Sequence, residues 1–417
     1  MSASMERCSM VMKNKIIQVP RRFVRQEWGG TETVIIETSH ELHKLGYEVE
    51  IFTSKALSGI SRESILGVPV RRFAYFYPRL GLSREDKHRL DMRGGNVFSL
   101  KFLLAILLTS NIKVIHLHTG GFLGGFVRLV SRLRKIPYVL SIHGGALDLP
   151  AQQLKEIVAP LKGSFNWGKI FEIILRCNRI NQDAAAIICV CENERELMAR
   201  KYPQSNVVYV PNGVDVKRFA SGDAARFRDK FALGDKEVLL YVGGFYSQKN
   251  HLLLLDAFAE ITKSHPRTVL VLIGVAYDKA YYEKMINQIA ALNIPDSVIL
   301  LPNLKFEEDM LIDAYAAASV FVFPSKYETF GIVALEAWAA QKPVICGKVG
   351  GLVSFIKDKE NGLFFDVDSA QDLQQKIAML LNDKDLSMKL ARRGLAEVQN
   401  YSWAKITEKL AAIYEGI

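Results

Sequence analysis

Two glutamates with seven residues between them, Glu328 and Glu336, frame the stretch of this sequence best suited to chemistry. The apolar run Val320–Phe323 ends at Pro324-Ser325, a loop Lys326-Tyr327-Glu328-Thr329-Phe330-Gly331 follows, and residues 332–340 have the composition of a helix. Glu328 is thus expected at the carboxyl end of a strand, just before a helix N-terminus, and Glu336 inside that helix. The amides of Thr329, Phe330 and Gly331 then suit an anion, because the first N–H groups of a helix have no intrahelical acceptor. Gly331 lets the backbone approach a ligand closely. A carboxylate accepts paired hydrogen bonds from a diol such as a ribose or another sugar. Two carboxylates beside one anion-binding turn suit a phosphate with a sugar on either side. Spacing alone leaves the plainer alternative open, a surface Glu328 and a helix-capping Glu336.

The elements that must position these groups alternate along the whole chain. Strands are expected at 15–19, 47–53, 68–73, 114–118, 138–142 and 186–190, then at 237–242, 268–273, 297–301, 320–323, 343–346 and 362–365. Many are continuous Val/Ile/Leu runs, the pattern of parallel strands buried on both faces, and the segments between them suit crossover helices. The fold class expected is therefore α/β, with two Rossmann-like, doubly wound parallel sheets, one in each half, facing a deep cleft. Ligands of such sheets gather at the carboxyl ends of the strands, which makes the cleft the default site. Residues 1–13 read as a flexible tail, 14–205 as one domain and 206–402 as the other, with the turn-rich Pro211-Asn212-Gly213-Val214-Asp215 near the break. A final helix over 403–417 carries Trp403, Ile406, Leu410 and Tyr414 at helical spacing, a core stripe.

The pattern of Glu, seven residues, Glu resembles family four of the retaining glycosyltransferases, which share the GT-B fold. Other pieces fall in the same order. Gly29-Gly30-Thr31-Glu32 follows the first strand, and Ser141-Ile142-His143-Gly144 closes a mid-domain strand. Pro211 to Asp215 matches an interdomain motif. Tyr241-Val242-Gly243-Gly244 through Lys249 matches a phosphate-gripping strand and loop, and Gly350-Gly351 and Asn361-Gly362 match later turns. The resemblance covers nearly the whole chain beyond the tail. It implies an acceptor-side N-terminal domain, a nucleotide-sugar-binding C-terminal domain, and a last helix that packs back on the N-terminal one.

The resemblance also implies roles. Glu336 would bind the donor ribose and Glu328 a hydroxyl of the transferred sugar. Backbone groups at Thr329, Phe330 and Gly331 would hold sugar and diphosphate, and Lys249 would neutralise the leaving diphosphate. His143 would touch the donor sugar near the reacting carbon. The amides of Gly29 and Gly30 would close over the phosphates, and the base would lie against the segment around Asn303 and Lys305. Fixed donors at a leaving diphosphate stabilise the charge that develops there. One departure stands out: the family's usual Arg, five residues before the Lys, is replaced by Gly244. Lys326 or Arg25 could substitute for it, Lys249 and backbone amides could suffice, or turnover could be weakened.

No cofactor and no metal are expected. The lone Asp-x-Asp, Asp366-Val367-Asp368, follows a late strand and reads as a turn with a helix cap. The function expected is a retaining, metal-independent transfer from a nucleotide-diphosphate sugar to a lipid-linked or cell-surface glycan acceptor. The alternative is a catalytically weakened binding subunit that keeps the donor pocket, with Gly244 as its one support. A GT-B epimerase or phosphorylase fits less well.

The net charge of +10 is uneven. Residues 1–200 hold 29 Lys and Arg against 18 Asp and Glu, or +11, whereas residues 201–417 hold 25 against 26, or −1. A basic half suits nucleic acid, anionic lipid heads or a diphosphate-linked substrate, or is simply a soluble basic surface. No nucleic-acid motif accompanies it, so no nucleic-acid partner is expected. Basic residues mixed with Leu161, Phe165, Trp167, Ile170 and Phe171 suit docking on an anionic membrane surface, or equally a solvated amphipathic helix. No apolar run reaches the roughly 18 residues needed to span a bilayer. With five cysteines that match no zinc or disulfide framework, a cytoplasmic protein is expected, peripheral on the membrane's cytoplasmic face if the basic surface docks there.

Overall fold

The computed structural model describes residues 13–144, 161–276, 278–304 and 309–417. They form two compact units, one of residues up to Val210 together with Ile406–Ile417, the other Pro211–Lys405.

Among its described residues the first unit has ten strands: β1 (Lys13–Val19), β2 (Tyr47–Ser54), β3 (Arg62–Ile65), β4 (Val68–Phe73), β5 (Arg79–Leu80), β6 (Ile112–Leu117), β7 (Tyr138–Ile142), β8 (Phe165–Asn166), β9 (Ala186–Cys189) and β10 (Val207–Tyr209). Eight of them make one sheet in the order β10-β9-β7-β6-β1-β2-β4-β3, and β5 pairs with β8 in a small ribbon. Every pair in the large sheet is parallel except β3 with β4. The central strands are buried on both faces, as their unbroken apolar runs require. Helices α1 (Gly30–Lys44), α2 (Leu100–Leu108), α3 (Gly121–Arg134) and α4 (Lys169–Ile174) belong to this unit. One core collects Phe52, Phe98, Phe102, Phe122 and Phe126 with strand residues such as Ile115 and Leu140. A second gathers Ile16, Val114 and Val139 with Ile406, Leu410 and Tyr414 of the last helix, so that helix buries its apolar stripe in the N-terminal unit.

The second unit carries β11 (Glu237–Val242), β12 (Thr268–Gly274), β13 (Val298–Pro302), β14 (Val320–Phe323), β15 (Val344–Gly347) and β16 (Leu363–Phe365). They form one wholly parallel sheet in the order β13-β12-β11-β14-β15-β16. Its helices include α5 (His251–Ser264), α6 (Asp309–Ala317), α7 (Ile332–Ala339) and α8 (Ala370–Asn382), and α9 (Trp403–Glu415) ends the chain's regular structure.

Three readings need correction. Of the 1–13 segment read as a tail, Lys13 opens β1 and the rest lies outside the described residues. The division falls after Val210 rather than after 205, because β10 pairs in register with β9 and stays in the first sheet. The strand expected at 186–190 ends at Cys189, and Cys191 is the N-cap residue of the helix Glu192–Lys201. Strand β3 went unforeseen because it carries no buried apolar run.

Candidate functional site

The two glutamates sit where strand and helix geometry put them, and neither is a surface or capping residue. Glu328 lies in the loop between β14 and α7, and its Oε2 accepts from Lys249 Nζ at 2.5 Å. The two side chains are only 14% and 12% exposed. Lys249 ends the short 3-10 turn Ser247–Lys249 after β11, the strand next to β14, so adjacent strand ends deliver the pair. The amide of Lys326 donates to the carbonyl of Gln248 at 2.9 Å and stitches the two loops together. The ammonium also lies 4.9 Å from the centre of the Phe323 ring, a cation–π contact. Burial alone would lower the Lys249 pKa, but the facing Glu328 carboxylate and Tyr246 more than offset it and hold the amine above its usual value.

Glu336 is buried in α7 at 5% exposure. Its Oε2 accepts from the Tyr315 hydroxyl of α6 at 2.6 Å. Burial pushes the carboxyl up to about 7, against the opposing pull of the Tyr315 hydrogen bond and the charge of Arg218. Tyr315 is a functional candidate that the sequence did not offer, since nothing in its spacing links it to Glu336.

Glycine is required around this loop for steric reasons. Gly331, the residue before α7, has φ of 90°. Gly350 has φ of 49°, and a Cβ there would lie 1.6 Å from the Glu328 carbonyl oxygen. The neighbouring Gly351 amide donates to that carbonyl at 3.1 Å. The Gly350-Gly351 turn is therefore a backbone support for Glu328. Phe330 points inward, 1% exposed and packed against Phe355, so only its main chain can meet a ligand. On the far side of β11, a Cβ on Gly274 would run into the Gly243 carbonyl at 1.8 Å, and the Asn303 amide donates to the Gly274 carbonyl at 2.7 Å. Gly243-Gly244, Gly274 and Asn303 thus line the carboxyl ends of β11, β12 and β13, with Asn303 itself left-handed at φ 65°. Lys305 lies outside the described residues. Of the two candidate substitutes for the missing Arg, Lys326 pairs with Asp368 and Arg25 sits in a 3-10 turn of the other unit. Asp366 accepts from the Asp368 amide at 3.1 Å, and Ser369 caps α8, so the Asp-x-Asp is a turn before a helix. Among the described residues, no group of three or more His, Cys, Asp and Glu is placed to hold a metal ion.

In the N-terminal unit, His143 follows β7 and its Nε2 lies 2.7 Å from His118 Nδ1. The other nitrogen of His118 lies 2.7 Å from Gln18 Oε1 of β1. His116, two residues before His118, lies against it with tilted rings whose centres are 4.1 Å apart, and bonds Ser141 and Tyr414. Burial holds His143 down at about 4 and His116 at about 3, so these rings are neutral at pH 7. The chain thus runs from Gln18 through His118 to His143, residues far apart in the sequence that the sheet brings together. Gly30 opens α1, and the Gly29 amide donates to Glu32 Oε2 at 3.1 Å, a capping box. A phosphate at Gly29 must therefore replace that carboxylate. A cavity of about 280 Å3 in this unit is lined by Arg21, Asn96, Thr119 and the Gly120-Gly121 turn that opens α3.

Two parallel-sheet units, with a buried carboxylate on the helix after one strand and a lysine–glutamate pair across neighbouring strand ends, define a GT-B glycosyltransferase. Residues 28–218 match Glycosyltransferase Family 4, and residues 223–396 match Glycosyl transferases group 1. The chain is 30% identical over 396 residues to the D-inositol 3-phosphate glycosyltransferase of Nocardia farcinica (strain IFM 10152), covering 93% of this chain and 84% of that one. It is 27% identical over 409 residues to the enzyme of the same name from Corynebacterium efficiens, covering 93% and 90%. Among solved structures, sucrose-phosphate synthase from Thermosynechococcus elongatus superimposes with a TM-score of 0.73 at 21% identity, over 97% of this chain and 99% of that one. Anabaena HepE in complex with UDP and glucose gives 0.72 at 17% identity, over 97% and 100%. The chain belongs to glycosyltransferase family four, and it is a glycosyltransferase.

Proposed function

We propose that this enzyme moves a sugar from a nucleotide-diphosphate sugar to a lipid-linked or cell-surface glycan acceptor, with retention of configuration and without a metal ion. The observation that carries the donor half of this reading is the Lys249–Glu328 pair beside buried Glu336, at the carboxyl ends of strands that gather glycines. Glu336, aligned by Tyr315, would accept hydrogen bonds from the ribose hydroxyls. Glu328 would accept from a hydroxyl of the transferred sugar, with the main chain of Thr329, Phe330 and Gly331 beside it. Lys249 would face the diphosphate, and the segment at Asn303 and Lys305 the base. His143 is assigned to the donor sugar and Gly29-Gly30 to its phosphates.

In the reaction, the bond from the sugar's anomeric carbon to the diphosphate oxygen breaks, and its electron pair stays on that oxygen. The acceptor hydroxyl oxygen bonds the same carbon from the same face and gives its proton to a departing phosphate oxygen. The Lys249 ammonium supplies fixed positive charge where negative charge develops, as a metal does elsewhere. The N-terminal cavity with Arg21 and the Gly120-Gly121 amides offers the acceptor an anion-binding wall. A second acceptor reading, an inositol phosphate, is favoured by the names of the Nocardia and Corynebacterium relatives. The site of action would be the cytoplasm, at the membrane face for a lipid-linked acceptor.

The test is thermal stabilisation by UDP, GDP and ADP, with Glu336→Ala alongside. A ligand that binds only the folded state stabilises by about 2.7 kcal/mol at a hundredfold excess over its dissociation constant. HepE was solved with UDP, so UDP is the first nucleotide to try. A shift with one nucleotide, lost in the variant, supports the donor pocket and names the base. Stabilisation without turnover of any nucleotide-sugar would favour the weakened binding subunit, with Gly244 as its cause.

A further inference from the structure

The N-terminal unit exposes a run of large apolar side chains that its own core does not use. In the β5–β8 ribbon, Leu80 stands opposite Phe165, and they are 63% and 67% exposed. Trp167 follows, stacked on Phe76 with ring centres 6.0 Å apart, and both rings keep more than a third of their surface exposed. One turn on, α4 presents Ile170, Ile173 and Ile174 at 58%, 74% and 66% exposure. Monomeric soluble proteins scatter such residues singly, so a contiguous group marks a contact surface.

The face is built rather than frayed. The Gly168 amide donates to the Pro78 carbonyl at 3.1 Å, and a Cβ on Gly168 would lie 2.4 Å from the Pro78 ring. Arg79 donates to Ser164 at 3.1 Å, and Phe171 anchors α4 against buried Phe98 at 4.8 Å between ring centres. A rigid platform therefore holds the apolar tips outward.

Charge says what covers it. Residues 161–183 carry Lys162, Lys169, Arg176 and Arg179 against Glu172 and Asp183, and Asp183 is shared by Arg128, Arg132 and Arg179. All four cations are exposed, whereas Glu172 is partly buried and accepts from Asn96. A second copy of this chain docking face to face would oppose like charges, which disfavours a symmetric dimer. A surface with apolar depth and a negative boundary is complementary on both counts. Isoleucine and phenylalanine tips, a rim tryptophan and flanking lysines are the composition of a segment seated at a bilayer interface.

We propose that the β5–β8 ribbon and α4 form a docking face for a bilayer leaflet carrying anionic headgroups. This deepens the reading of a membrane-held acceptor and rests on it only for its purpose, since the face stands on its own geometry. The test is co-sedimentation of the full chain with vesicles of phosphatidylcholine, and of phosphatidylcholine mixed with phosphatidylglycerol. Binding is expected to the anionic vesicles, weakened by salt, and absent from the neutral ones. The double substitution Ile173→Ser with Ile174→Ser should lower the partition coefficient about tenfold or more. Lys169→Gln should lower it about fivefold, the effect of one charge near an anionic surface. Retained UDP-dependent thermal shift in each variant shows that the fold survives. If the parent protein itself shows no UDP shift, the donor reading fails while the vesicle result stands. Failure of the parent to bind anionic vesicles, or equal binding by the variants, overturns the docking face. A concentration-dependent dimer that the double substitution dissolves, with no vesicle binding, assigns the face to a second copy instead.

Discussion

Lys249 Nζ and Glu328 Oε2 meet at 2.5 Å across the ends of neighbouring strands, with both side chains largely out of water. The pair gives the Lys249 cation a partner on the protein itself and fixes the loop that carries Glu328. Removing one member leaves the other charge buried without its counter-charge, which costs more than the pair contributes. Lys249→Met and Glu328→Gln should each destabilise the C-terminal unit by about 2 kcal/mol, and the double variant by less than their sum. Chemical denaturation through a double-mutant cycle reads this. A sum that is additive within about 0.5 kcal/mol would show that the two groups are not coupled. Turnover should fall steeply in both single variants, because each also loses a proposed contact with the donor.

With Glu336 as the proposed ribose contact, donor binding should depend on pH. Its carboxyl titrates at about 7 in the folded chain, raised from 4.5 chiefly by burial. The folded state therefore binds this proton more tightly than the unfolded chain does. The associated stability is present below pH 4.5 and lost as pH rises through about 7. His251 in the same unit runs the other way, held down to about 3 by burial, so total stability hides the effect. The difference between wild type and Glu336→Gln exposes it: wild type should gain relative stability as pH falls from 8 to 5. UDP affinity should move oppositely, weakening from pH 8 to 6, because the ionised carboxylate is the better acceptor for ribose hydroxyls. Tyr315→Phe removes a hydrogen bond that favours ionisation, so the affinity profile should shift to higher pH. An unshifted profile would remove Tyr315 from the site.

Gly350 tests whether the backbone support of Glu328 matters. A methyl group there would lie 1.6 Å from the Glu328 carbonyl, and φ of 49° is costly for any residue with a Cβ. Gly350→Ala should lower the stability of the C-terminal unit by about 1–3 kcal/mol and reduce turnover by displacing Glu328. Gly59→Ala is the control, since a Cβ there meets nothing within 4 Å. Equal melting temperature and turnover in the two variants would mean that the turn yields freely.

Much of this arrangement was legible in the sequence because parallel strands announce themselves as apolar runs. Val320–Phe323 and Glu237–Val242 were placed to the residue, and the loops holding Glu328 and Lys249 followed from where those strands end. What stayed hidden depends on which elements become neighbours. Tyr315, 21 residues before Glu336, reaches it because α6 and α7 both pack on the helix Val216–Ala220. Gly350 reads as one more turn glycine until its carbonyl neighbour is seen. The link from Gln18 to His118 joins residues 100 apart and depends on β1 lying beside β6. The short edge strand β3 was invisible for the opposite reason: only Ile65 of its four residues is buried, too few to leave a pattern.

The histidine chain carries the last prediction. With the Gln18 carbonyl accepting from His118 Nε2–H, His118 Nδ1 is left as an acceptor, and His143 must donate from its own Nε2. His143 is then a neutral imidazole with an unprotonated Nδ1. Long-range nitrogen–proton NMR should find that tautomer at pH 7, and Gln18→Leu should allow the other. A Gln18 amide presented the opposite way round would instead place the His143 proton on Nδ1, which the same spectrum detects. Burial holds His143 at about 4, so its contribution to stability is present above the ordinary value of 6.5 and is lost as pH falls toward 4. Relative to His143→Asn, wild type should therefore lose on the order of 1–2 kcal/mol between pH 7 and pH 5. With His143 at the donor sugar as proposed, His118 would position it, so His118→Asn should lower kcat while leaving the dissociation constant of UDP unchanged. Loss of UDP binding together with kcat would show that the substitution damages the fold, and unchanged kcat would leave the chain no part in positioning His143.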